Sequence, residues 1–296
     1  MKKRYRVMLT ALLIIVAAMP RYPHGMAVFH AVQGGGVPLA TAINIYARLG
    51  TKPNVIFRQG VFDGVPYTAL WVYPDANTEV VLDYAGETPK PLEKLAHFKL
   101  GWWRVGGINA GFFIDHGEAY GRPVGAVAID GKFQTWKGET LVPAYGKGNV
   151  TAYFDEDGSL ALAYHGWKDG QWCPAGDSFG TYDAAKETYT YRLKTPFAVS
   201  GGYSLLRNGK RVWLGKGHSP YWESSTKTGV TCFGQCQDGS VLLVVAGALG
   251  GGEEETRLMR QLGAMTALRM DGGASGALCV DRLLLLYTRR GQDVLY

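Results

Sequence analysis

From Asn54 onward the chain alternates apolar and polar residues in short runs, and most of these runs read as β-strands. "NVIFRQGVF" and "YTALWVYP" are rich in β-branched and aromatic residues and flank Asp63–Gly64, the residue pair favoured in tight hairpins. The same device recurs at Asp130–Gly131, Asp157–Gly158, Asn208–Gly209 and Asp238–Gly239, each between two apolar runs. A helical period replaces it in "EEETRLMRQLGA". There Glu253 to Glu255 suit the positive end of a helix dipole, and Leu258, Leu262 and Met265 form an apolar face. "PLEKLAHF", with Pro91 inside its first turn, predicts a short helix, as does the segment from Leu39 to Leu49. "TALRM" and "RLLLLYT" read as closing strands on either side of "DGGASGAL". The fold class expected is α+β and β-rich: a strongly twisted, largely antiparallel or mixed sheet with few helices, in a single domain over residues 53–296.

The first residues follow a different pattern. "MKKRYR" is basic and is followed by an apolar run of thirteen residues, Val7 to Met19, then by small residues around Gly25 and Ala27. This is the anatomy of a secretory signal peptide spanning residues 1–27, followed by a linker over residues 28–52. As a helix the apolar run rises only about 20 Å, short of the roughly 30 Å of a bilayer core. Export to the periplasm, cell envelope or exterior is therefore expected, with the membrane met only through this segment.

Removing the signal changes the charge balance. The whole chain of 296 residues carries +6, from 31 Lys and Arg against 25 Asp and Glu. Five of those cations (Lys2, Lys3, Arg4, Arg6 and Arg21) lie in the signal, so the remainder has 31 − 5 = 26 cations against 25 anions, a net +1. Nothing in that balance points to nucleic acid. Of the four cysteines, Cys232 and Cys236 stand four residues apart in an extended run. That spacing separates them by about 13 Å, too far for a bridge to each other. Buried thiols or one long-range disulfide remain open. No Cys or His spacing predicts a metal site, and no cofactor motif occurs.

Four segments, in order, carry a resemblance: "GINAGFF" with "GRPVGAVAIDGK" behind it, "VSGGYSLLRNGK", "FGQCQDGSVLLVVAG", and "EEETRLMRQLGAMTALRMDGGASGAL". Together, over roughly residues 53–293, they resemble the phosphodiester glycosidase family, whose signature reads Asp-Gly-Gly-Gly-Ser. The chain departs from it at Ala274, which replaces the third glycine, and at Val230, where the family usually carries an arginine followed by threonine.

The resemblance implies cleavage between a sugar's anomeric carbon and a phosphodiester oxygen. Because a departing phosphate has its second pKa near 6, it leaves readily and needs little help from a general acid. Such a site needs an anion cradle and a carboxylate. Asp271 would act as base or stabilise positive charge at the anomeric carbon, and Gly272, Gly273 and Ser275 would cradle the phosphate. Asn109 is the second catalytic candidate, its amide serving either substrate or a tight turn. Gly201 and Gly202 form a second cradle or a bulge, and Lys227 is the cation nearest in sequence to Val230. Asp115, Glu118 and Glu223 are possible second carboxylates, His116, His165 and His218 looser candidates, and Trp102 or Trp103 a possible sugar platform. The partner expected is a sugar-phosphate or envelope glycan. The departure at Val230 leaves a second reading open: an envelope protein of this fold that binds such a ligand without turnover.

Overall fold

The computed structural model describes residues 54–76, 78–90, 106–143, 150–164, 180–183, 188–212, 227–280 and 283–287. The expected signal, linker, both short helices, Trp102, Trp103, His165, Cys173, His218 and Glu223 lie outside them. What is described is strand-rich, and every strand pair is antiparallel.

The largest sheet has seven strands. Its centre is β15 (Lys227–Cys236) and β16 (Val241–Gly250). On one side lie β2 (Val65–Val72) and then β1 (Val55–Phe62); on the other lie β17 (Ala264–Arg269), β13 (Ser204–Arg207) and β14 (Lys210–Arg211). A five-stranded sheet runs β5 (Lys132–Phe133), β4 (Val127–Ile129), β12 (Phe197–Gly201), β8 (Val150–Phe154) and β9 (Leu160–Tyr164). A third sheet joins β3 (Gly106–Ile108), β18 (Ala277–Val280) and β19 (Leu283–Tyr287), and two-stranded ribbons form from β6 (Thr135–Trp136) with β7 (Glu139–Thr140), and β10 (Gly180–Asp183) with β11 (Thr188–Tyr191).

All five predicted hairpin turns are present. At Asp63–Gly64, Asp130–Gly131 and Asn208–Gly209 both residues have positive φ, as a type I′ turn requires. The two Asp-Gly-Ser turns work differently: Asp157 and Asp238 each accept hydrogen bonds from the backbone N–H and hydroxyl of the serine two residues on.

The two larger sheets pack face to face. Phe233 of β15 meets Phe154 of β8 edge-on at 6.2 Å, and Phe197 of β12 at 6.3 Å. The opposite face of the large sheet is covered by α1 (Gly251–Gln261), which packs on β13, β15, β16 and β17. This explains why β16 reads as a continuous apolar run: Val241 to Ala246 are buried because both faces of the strand are covered. Leu258 and Met259 are fully buried beneath the helix, each contributing about 2 kcal/mol.

Two details of the helix differ from the sequence expectation. It ends at Gln261, and Met265 belongs to β17, because Gly263 adopts φ +96° and turns the chain back after the helix. Glu255 is not among the first-turn acids, which are Glu253 and Glu254, and it is fully buried on the same stripe as Leu258 and Met259.

Candidate active site

Strand β17 ends at Arg269, between β13 and β15, and hands the chain to the signature. The backbone N–H of Met270 donates to Thr231 O at 2.8 Å, and that of Asp271 donates to Ala110 O at 2.8 Å. The chain then passes through a short 3-10 turn, Gly273 to Ser275, into β18, which pairs with β3. The signature is thus the corner where the seven-stranded sheet gives way to the three-stranded one.

The Asp271 side chain is nearly enclosed, with the residue 8% exposed. Burial pushes its carboxyl up to about 7, and Asp115 adds to the rise. Hydrogen bonds from the Ser275 hydroxyl and the Gly272 N–H, and the charge of Arg269, pull the other way without prevailing. Ser275 is itself buried, so its hydroxyl serves the carboxyl directly.

The two signature glycines have opposite surroundings. A Cβ on Gly272 would lie 2.5 Å from Gly229 O and 2.7 Å from Arg269 Nη2, so that position is closed by packing. Gly273 has φ +60°, a conformation costly for L side chains, and a Cβ there would meet nothing within 4 Å. The corner is sealed behind Gly272 and open in front of Gly273.

Asn109 lies behind this corner and is 0% exposed. Its Nδ2 donates to Asp271 O at 2.6 Å, while its Oδ1 accepts from Thr231 Oγ1 at 2.8 Å and from the Ala277 N–H at 2.9 Å. One amide therefore ties β3, β15, β18 and the signature together. Its oxygen is fully used and one of its two N–H groups is held by a backbone carbonyl, so in this structure Asn109 binds the corner together.

Gly201 and Gly202 are packed closely against the same corner. The Gly202 N–H donates to Arg269 O at 2.8 Å, and a Cβ on Gly202 would come within 3.1 Å of the Phe112 ring. On Gly201 it would lie 2.8 Å from Arg269 O and 3.0 Å from Met270 Sδ. These glycines permit close approach of β12 to β17. Lys227 is exposed at the first position of β15, two residues before Gly229. Asp115 and His116 are exposed and bonded to each other at 2.8 Å, and Glu118 is exposed nearby in the chain.

Val230 is 1% exposed and packs into the main core. An arginine nevertheless reaches this neighbourhood from the adjacent strand. Arg269 Nη2 donates to Gly229 O at 3.1 Å and to Thr228 Oγ1 at 3.2 Å, and Nη1 donates to Glu255 Oε1. Tyr203 donates to the other Glu255 oxygen at 2.9 Å. Reading along the chain missed this buried pair. Its signal was present in the spacing of Glu255 to Leu258 and Met259, three and four residues on, which puts the carboxylate on the apolar stripe.

Among the described residues no three His, Cys, Asp or Glu side chains converge as metal ligands would. The sequence model of the phosphodiester glycosidases matches residues 104–293, from just before β3 through β19. The chain belongs to the phosphodiester glycosidase family. A comparison with curated proteins returned no match. Among solved structures, this phosphodiester glycosidase family member resembles the zebrafish N-acetylglucosamine-1-phosphodiester alpha-N-acetylglucosaminidase catalytic domain, auto-inhibited by its pro-peptide. The TM-score is 0.52 at 17% identity, over 79% of this chain and 75% of that one. It also resembles a hypothetical protein from Synechocystis, with TM-score 0.52 at 16% identity over 82% of this chain. The match spans 61% of that chain. These likenesses establish a shared fold.

Proposed function

We propose that the chain hydrolyses the bond between a sugar's anomeric carbon and the oxygen of a phosphodiester. The observation that carries this reading is Asp271: a carboxyl 8% exposed, titrating at about 7, in the family signature beside a glycine whose Cα faces open space. A base poised near neutral pH suits general-base catalysis. In its ionised form Asp271 takes a proton from water as the water oxygen bonds to the anomeric carbon. The C–O bond to phosphorus's oxygen breaks, and its electron pair leaves with a phosphate monoester, which needs no strong acid. The open front of Gly273 is where the phosphate approaches the backbone, and Ser275 keeps the carboxyl aimed. The zebrafish neighbour, named for action on an N-acetylglucosamine-1-phosphodiester, supports this substrate class. The basic and apolar N-terminus supports action outside the cytoplasm, on envelope or extracellular sugar phosphates.

The test gives the protein a panel of sugar-1-phosphodiesters and measures free sugar. Turnover that disappears in Asp271→Asn, with kcat/KM rising as pH climbs through about 7, is the expected result. Calorimetric binding without turnover on any member would instead assign the chain to ligand binding.

A further inference from the structure

The reaction just proposed makes no use of the buried pair behind the signature. The Arg269 side chain is 9% exposed and that of Glu255 is 0% exposed. Burying two opposite charges is often no more stabilising than an apolar pair of similar volume, so packing alone does not account for them. Their placement does. One planar guanidinium bonds Glu255 of α1, and Thr228 and Gly229 of β15. Its Nη2 also occupies the space beside Gly272 that a side chain would need. A second oxygen of Glu255, held by Tyr203, keeps the carboxylate in line with the guanidinium.

We infer that Arg269 is a positioning residue for the Asp271 site. Through Gly229 and Gly272 it fixes the path of the signature backbone, and it holds a permanent positive charge behind the Asp271 carboxyl. The inference rests on the reading of Asp271 as base. The groups that act on Asp271 come from each side of the corner: Ser275 and the Gly272 N–H from its own turn, Arg269 from β17, and Asp115 from the segment after β3. Those that act on the pair are Tyr203 before β13, Cys232 of β15 and Glu254 of α1. Arg269 contributes two separable things, a charge and a fork. A lysine keeps the first and loses the second, because an ammonium cannot present the planar donor set that joins Gly229, Thr228 and Glu255.

The experiment uses the full chain with carboxyl-labelled aspartate, and Asp271→Asn assigns the resonance, so the titration is read without any turnover. Three forms are compared: wild type, Arg269→Lys, and the charge-free pair Glu255→Gln with Arg269→Met. In the folded double variant the Asp271 titration moves upward by on the order of one pH unit, since the favourable charge is gone. In Arg269→Lys it stays near the wild-type position, while the Gly272 amide exchanges tenfold faster or more. On a hydrolysed phosphodiester kcat falls tenfold or more in both variants, with a smaller change in KM. An unmoved titration in the folded double variant overturns the inference. Should that variant fail to fold, unchanged Gly272 exchange in Arg269→Lys overturns it instead. A wild type that turns over no substrate, yet shows these shifts, would sink the hydrolytic reading and leave the positioning role standing.

Discussion

Two buried polar side chains meet at one peptide unit and behave in opposite ways. Asn109, behind the corner, has its acceptor saturated by Thr231 and Ala277 and its donor on the Asp271 carbonyl. Asp271, at the corner, has two donors and a nearby guanidinium, yet burial still holds its carboxyl at about 7. A neutral amide paired at both its oxygen and its nitrogen is inexpensive to bury and rigidifies what it touches. A carboxyl whose compensation falls short stays responsive to pH, which is what a catalytic base near neutrality requires. How far pairing compensates burial, rather than depth of burial, separates these two side chains.

The sharpest way to break that distinction is Asp271→Asn. Loss of the base should lower kcat/KM by on the order of a thousandfold, about 4 kcal/mol of transition-state stabilisation. The same substitution should stabilise the fold at neutral pH. The folded-state value of about 7 lies above the ordinary 3.8, so between these two pH values the folded protein binds a proton the unfolded chain has released. Stability from this group is therefore full below about pH 4 and declines as pH rises toward about 7, after which the ionised form is a constant burden. Asparagine removes that burden, a gain of about 4 kcal/mol at pH 8 that vanishes at pH 4. Urea unfolding at the two pH values measures it, and equal effects at both would mean that the carboxyl is not strained by burial.

Asn109→Ala should do the reverse. It strands the Thr231 hydroxyl, the Ala277 N–H and the Asp271 carbonyl inside the protein, at a cost of about 3 kcal/mol. Calorimetric unfolding should show a lower Tm, with residual turnover in whatever remains folded. If the variant keeps its Tm but loses turnover, Asn109 belongs with the chemistry and the contrast collapses.

Gly201→Ala comes next. The new methyl would meet Arg269 O at 2.8 Å, and backbone cannot step aside as a side-chain tip can. Overpacking of that kind costs about 2 kcal/mol. Chemical denaturation should find this loss with kcat/KM of the folded fraction nearly unchanged. A selective loss of phosphate affinity would instead show that Gly201 and Gly202 form a ligand cradle.

Much of the fold was legible in the chain because its signals are local. The Asp-Gly and Asn-Gly pairs set their own turns, and α1 follows from a short apolar period. Asp271 and its glycines were legible as a motif. What stayed hidden depends on contacts between distant segments. Asn109 draws its partners from positions 231, 271 and 277, and no spacing within "GINAGFF" announces them. Val230 marked a missing charge, but the charge that reaches Gly229 comes from Arg269 on the neighbouring strand. Gly201–Gly202 and Gly272–Gly273 read alike as letters; only the strands packed against them tell a close approach from an open face.

Gly273→Ala carries the smallest expected effect and tests the open face most directly. At φ +60° an alanine pays about 1 kcal/mol in backbone strain, and with nothing within 4 Å of its Cβ it adds no clash. The stability loss should therefore be half or less of that in Gly201→Ala. Its methyl would project into the space where the phosphate is proposed to approach, so KM should rise about fivefold, roughly 1 kcal/mol of lost binding, with kcat held because Asp271 and Ser275 are untouched. Inorganic phosphate, used as an inhibitor, should weaken by the same factor. A stability loss with no change in KM or in phosphate inhibition would show that Gly273 is open only to water, and the phosphate would have to enter by another side of the corner.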